Sequence, residues 1–183
     1  MKKEVLAKAN DMKAINELSL KGEIVVFGST YMAGFPFYEL VNKCRLENAV
    51  YNRSICGMTI AEAAELLQGC VLALKPRKIF LALGEEDAEE PCAIEGYTAI
   101  VQRIRAELPD TQVYLICLNG DSAYVRRFNQ NIDALCDKKT RAIRFDALVL
   151  PYAAECKRRF KQLSCFFRDR KPELTEIFAM SQL

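Results

Sequence analysis

The sequence predicts an α/β protein: a doubly wound parallel sheet of five strands in three α/β/α layers. Short, largely apolar runs recur at 24–27, 78–83 and 112–118, without the alternation of half-exposed strands, as expected of strands covered on both faces. Segments with apolar residues at helical spacing alternate with them through short connections. No repeat or low-complexity linker interrupts the alternation, so the 183 residues fit a single domain, 1–183, with an N-terminal helical extension over about residues 1–20.

Residues 3 to 18 place Val5, Leu6, Ile15 and Leu18 among charges, an amphipathic helix leading through Lys21 and Gly22 to the first strand. That strand, Ile24 to Phe27, ends at Gly28, and Ser29 and Thr30 follow at once. Phe35 to Leu46 reads as a helix with Pro36 early and Phe37, Leu40, Val41 and Cys44 on one face. A short strand over Ala49 to Asn52 and a loop to Met58 come next. Thr59 and Glu62 form a Thr-x-x-Glu capping box opening a helix whose apolar face is Ile60, Ala63, Ala64, Leu67, Val71 and Leu74. Lys75-Pro76 ends it before the strand Lys78 to Leu83, and the acidic loop Gly84 to Glu90 follows. Tyr97, Ile100, Val101, Ile104 and Leu108 make the next helical face, broken by Pro109-Asp110 before the strand Gln112 to Leu118. Asp121 or Ser122 caps a helix striped by Val125, Phe128, Ile132 and Leu135, and Arg141 to Leu148 is the last strand. A basic helical region through Lys157, Arg158, Arg159 and Lys161 then leads to a final segment around Phe166 to Met180.

The 26 basic and 24 acidic residues leave a formal charge of +2, so no global field points to nucleic acid or an anionic membrane. The Lys157–Lys161 stretch lacks interleaved aromatics and reads as a solvated helix face. No apolar run of 18 residues occurs and no apolar core follows the N-terminal lysines, so the expectation is a cytoplasmic protein without a membrane span. The eight cysteines include no C-x-x-C pair, and with no His to complete a mixed metal site they read as reduced core thiols.

In open parallel sheets, ligands sit at the carboxyl ends of the strands near the switch point. The Ser29–Thr30 hydroxyl pair is therefore the candidate reaction or binding site, and the plain alternative is an N-cap of the following helix. Phosphate or nucleotide binding at this turn is a weaker reading, because Gly28-Ser29-Thr30 lacks a full Gly-rich signature, and no cofactor is expected.

FGSTYMAG, NRSICGMTIAEAAELLQGCVLALKPRKIFLALGEED, FNQNIDAL and FFRDRKPELTEIF resemble the successive blocks of the SGNH, or GDSL, hydrolases, over roughly residues 23 to 180. The resemblance implies a three-layer fold of flavodoxin-like topology and serine esterase or acylhydrolase chemistry. It puts Thr30 in the nucleophile's place and Gly57 in that of an oxyanion-hole donor. The oxyanion-hole Asn is replaced by Glu86, and Asp169 matches the Asp of the closing Asp-x-x-His. Three residues on stands Pro172, or Glu173 if the loop is one residue longer, and the chain has no His. Ser29, Asn52, Arg53, Glu85 and Asp87 complete the expected pocket.

These substitutions bear on chemistry. A hydroxyl needs a neighbouring base of suitable pKa to attack near neutral pH. Loss of one oxyanion donor costs about 10²–10³ in rate, and an ionised carboxylate in its place accepts hydrogen bonds and donates none. The expectation is a hydrolase-like protein that has lost the standard serine-esterase mechanism and binds a small-molecule ligand or protein partner at the remodelled carboxyl-edge pocket. The alternative is a weak or atypical carboxylic-ester hydrolase using Thr30 with Asp169 or Glu173 as base. The acidic loop, with Asp169 and Glu173 across the rim, has the oxygen-rich character of a Ca²⁺ or Mg²⁺ site, against a plain solvated loop paired with Arg53, Arg168, Arg170 or Lys171. Cys56, beside Gly57, reads as a buried inert thiol.

Overall fold

The computed structural model describes residues 1–44, 46, 48–146, 150–169 and 174–181. The elements run α1 (Lys3–Asn16), β1 (Ile24–Gly28), α2 (Thr30–Ala33), α3 (Phe37–Lys43), β2 (Val50–Asn52), α4 (Ile60–Cys70), β3 (Lys78–Ala82), α5 (Ala93–Glu107), β4 (Gln112–Ile116), α6 (Ala123–Ala134), β5 (Thr140–Ile143), α7 (Tyr152–Phe167) and α8 (Leu174–Ser181). A 3₁₀ turn, Leu72–Leu74, links α4 to β3.

All strand pairs are parallel, in the order β2-β1-β3-β4-β5, so the chain steps outward one way from β1 and then reverses across it. That order puts the switch point beside the carboxyl end of β1, where Ser29 and Thr30 stand. Alternate strand residues feed two cores. Val25, Phe27, Ile79, Leu81, Val113 and Leu115 pack with α1, α4, α5 and α6 on one face; Ile24, Val26, Phe80, Tyr114 and Ile116 meet Met32, Phe37, Phe160 and Phe167 on the other. β1, β3 and β4, covered on both faces, are the strands with the unbroken apolar runs, whereas the edge strands β2 and β5 are only partly buried.

α1 packs on α4 through Val5, Ala9 and Met12, so the N-terminal helix contributes to the core. The Thr59–Glu62 capping box forms as expected, and Ser122, not Asp121, caps α6 by accepting from Val125 N at 3.1 Å. The helix expected over Phe35 to Leu46 is the shorter α3, Phe37–Lys43, with Pro36 (ψ 62°) just before its first turn, and a separate short helix, α2, precedes it. The last strand ends at Ile143, short of the expected Leu148; residues 147 and 148 lie outside the described residues. Of the eight cysteines, Cys44, Cys70, Cys117 and Cys156 are buried, whereas Cys56, Cys92, Cys136 and Cys165 are exposed, which corrects the reading of all as core thiols. Among the described residues, no helix is long and apolar enough to cross a membrane.

Candidate functional site at the carboxyl edge

β1 delivers Gly28 against β3 so closely that a Cβ there would stand 2.7 Å from the Ala82 carbonyl oxygen. Ser29 N donates to that oxygen at 3.0 Å, which fixes the turn and leaves Thr30 at the start of α2. Ser29 is fully buried at the N-cap position, yet its side chain makes no capping bond, so the plain capping alternative fails.

Thr30 Oγ1 gathers three neighbours. Gly57 N donates to it at 2.8 Å, the Glu86 carboxylate accepts its proton, and Cys56 Sγ lies 3.6 Å away. Gly57 has φ +71°, in the left-handed region that side chains resist, and this conformation turns its N–H toward Thr30. Ser29 Oγ lies 3.4 Å from the same Glu86 oxygen, and Glu85 accepts from Tyr31 N at 2.8 Å. Desolvation, with Glu86 beside it, holds the Glu85 carboxyl above the usual carboxylate range against the opposing Tyr31 N–H. Asp87 turns inward beneath the loop and accepts from Ile60 N at 3.0 Å. The structure thus brings together Ser29, Thr30, Gly57, Glu85 and Glu86, with Cys56 exposed at the site instead of buried.

The other expected residues go elsewhere. Asn52 ties the loop after β2 to α2, donating to Met32 O at 2.7 Å. Arg53 is buried and reaches back to α1, donating to Asn16 Oδ1 at 2.8 Å and Ser19 Oγ at 2.9 Å, so it is not a partner of the acidic loop. Asp169 is bound by Arg77 at 2.5 Å and by Lys78 at 2.6 Å. Lys78 opens β3, and the site lies past its other end at Ala82, four steps or roughly 13 Å along the strand. Asp169 therefore stands at the opposite edge of the sheet from Thr30 and cannot serve as its triad partner. Glu173 lies outside the described residues. The acid that the fold places beyond the last strand is Asp146, held by Arg158 Nε at 3.0 Å. The residue three further on in sequence is Val149, which has no titratable group. A carboxylate three residues past a terminal strand was the signal available for it.

Beside Thr30, a cavity of about 350 Å³ opens at the ends of β3 and β4, lined by Tyr31, Glu85, Ile116, Asn119, Tyr124 and Arg159 among others. Arg159 is the part that the sequence misplaced on a solvated face. Its side chain is 11% exposed, pairs with Glu155 at 2.6 Å, and lies over the Tyr31 and Phe145 rings at 4.5 and 5.0 Å. With the Asn119 amide turned to suit, its oxygen accepts from both terminal guanidinium nitrogens, at 3.0 and 3.2 Å. Tyr124 donates to Gly84 O at 2.8 Å, and burial pushes its phenol up to about 12. Among the described residues, no three His, Cys, Asp or Glu side chains converge to hold a metal ion.

No family model matches the chain, and no curated protein matches it in sequence. Solved structures do. A protein from Streptococcus pneumonia, provisionally described as a platelet activating factor, superposes with a TM-score of 0.76 at 19% identity, over 91% of this chain and 94% of that one. A GDSL-like lipase from Bacteroides thetaiotaomicron matches with a TM-score of 0.62 at 14% identity, over 97% and 95%. The psychrotrophic esterase EstA from a Pseudoalteromonas species matches with 0.63 at 13%, over 80% and 98%. The chain has the SGNH, or GDSL, hydrolase fold.

Proposed function

We propose that this hydrolase-fold protein binds a ligand or protein partner at its carboxyl-edge cavity and has lost the standard ester-cleaving mechanism. The observation that carries the reading is the closed hydrogen bonding of Thr30: its oxygen accepts from Gly57 N and its proton goes to Glu86. The N–H that would stabilise an oxyanion is spent on the hydroxyl itself. Where a further donor would be needed stands a carboxylate, which repels developing negative charge. No imidazole is present to take the proton and return it to a leaving alkoxide. What remains is a cavity with apolar walls, two tyrosines and a fixed guanidinium, which are binding features.

The second reading, an atypical ester hydrolase, gains from one contact: the Thr30 hydroxyl donates to Glu86, so Glu86 replaces Asp169 and Glu173 as its candidate base. Hydrolysis of short-chain aryl esters across a pH range separates the two readings, using the wild type, Thr30→Ala and Glu86→Gln. The expected result is no turnover above background in any of them. Turnover that both substitutions abolish, in variants that remain folded, would overturn the binding reading.

A further inference from the structure

The loop from Arg53 to Met58 carries Gly57 to Thr30. Its ties to β1 are Arg53 N, donating to Val26 O at 2.8 Å, and Ile55 N, donating to Gly28 O at 3.0 Å, both ahead of Gly57. Gly57 itself stands in the turn that Met58 N closes on Ile55 O at 3.2 Å, at the third place, where a positive φ is that of a type II turn. A turn closed by one bond, with glycine at its tip, has little stiffness of its own, because glycine populates both signs of φ. The direction of the Gly57 N–H therefore depends on what else holds the tip.

Two contacts do, one on each of the peptide groups that flank the Gly57 Cα. The N–H donates to Thr30 Oγ1 at 2.8 Å, and the carbonyl oxygen accepts from Lys2 Nζ at 2.5 Å, a charge-assisted bond. Lys2 is itself anchored. Its backbone N donates at 2.7 Å to Glu62, which caps α4, and Val5, Ala9 and Met12 bury the helix that follows. The far end of α1 grips the start of the same loop, where Asn16 and Ser19 accept from the Arg53 guanidinium. The N-terminal segment thus lies across the loop, tied to Arg53 at one end and to Gly57 at the other.

We infer that Lys2 is a positioning residue for the carboxyl-edge site: by holding the Gly57 carbonyl it keeps the Gly57 N–H on Thr30, and α1 serves as a strap. The inference rests on the same Thr30–Gly57 contact as the proposed function, but its test reads the turn and not turnover, so either can fail alone. Backbone amide hydrogen exchange of the full chain, followed by NMR, is compared across variants. Lys2→Met is expected to speed Gly57 exchange about tenfold while Phe80 and Leu115, in the central strands, stay within about twofold of wild type. Lys2→Arg, which supplies another charged donor, should restore protection. Glu62→Gln, which removes the neighbouring charge but leaves the bond to Gly57 O, should keep it. In Thr30→Val the Gly57 N–H has lost its acceptor, so adding Lys2→Met should change its exchange less than about twofold. Gly57 exchange that is unchanged in Lys2→Met, or that rises in step with Phe80 and Leu115, overturns the inference. So does equal acceleration in Lys2→Arg or Glu62→Gln, or a full tenfold effect of Lys2→Met on the Thr30→Val background.

Discussion

The two edges of the sheet handle charge in opposite ways. At the amino edge, Lys78 is buried at the start of β3; its amine donates to the Phe166 and Arg168 carbonyls at 2.8 and 3.0 Å and pairs with Asp169, which Arg77 also holds. Cations there close the carboxyl end of α7, donating to its carbonyls and to the Asp169 carboxylate alike. At the carboxyl edge, Glu85 and Glu86 lie side by side and accept hydrogen bonds from the Tyr31 N–H and from the Ser29 and Thr30 hydroxyls. Both edges carry acids at positions suggestive of catalysis, but one set is built to lock helix to sheet and the other is left with its charge unspent. An acid near the right place in sequence is thus weak evidence for a catalytic role until its partners are known.

Breaking the amino-edge clamp should have the largest effect. Lys78→Met removes the buried amine that donates to the Phe166 and Arg168 carbonyls, leaves Asp169 to Arg77, and is expected to cost about 2–3 kcal/mol in urea denaturation. A loss within error would mean that the clamp contributes nothing net. Gly57→Ala tests the carboxyl edge through its backbone. A Cβ there meets open space, with only Lys2 Nζ at 3.9 Å, so the cost is conformational and is expected at about 1 kcal/mol, read from the same denaturation curves. Thr30→Val, which removes the exposed hydroxyl's bonds but keeps its shape, should cost only about 0.5 kcal/mol. A loss as large as that of Lys78→Met would abolish the contrast between the edges.

The smallest effect is the sharpest in sign. Glu85 sits above the ordinary carboxylate value, so its contribution to stability is full below the unfolded pKa, about 4.3, and is lost as pH rises through the folded one. Glu62 shows the reverse. Burial works to raise it, but the N–H groups of Lys2 and Thr59 with the Lys2 charge outweigh that and hold it low, so its contribution is present above about 4.3 and lost as pH falls through the folded pKa. Relative to wild type, Glu85→Gln should therefore gain stability as pH rises, and Glu62→Gln should lose its deficit as pH falls. Denaturation midpoints across a pH series give both slopes, and slopes of the same sign would refute the assignment.

Much of the fold was legible before any coordinates, because its signals are local. The apolar run before Gly28, the Thr59–Glu62 box and the Pro109-Asp110 break each act through residues within a few positions of one another, and each marks an element boundary in the structure. The site was legible only in part. Thr30, Gly57 and Glu86 do meet, but Asp169, Arg53 and Arg159 went elsewhere, and Tyr31, Asn119 and Tyr124 gave no signal, since a cavity wall has no sequence period.

By itself, then, the sequence determined the α/β alternation, the parallel sheet and the absence of histidine, all of which follow from residue type and short-range spacing. Only the tertiary structure decided which edge each carboxylate serves. Asp169 follows α7 and Asp146 follows β5, and their different fates depend on where the sheet order returns the chain and on which cations, Lys78 and Arg77 or Arg158, it finds there. Such pairings span up to 92 residues, and contacts at that separation are set by packing, not by neighbouring residues.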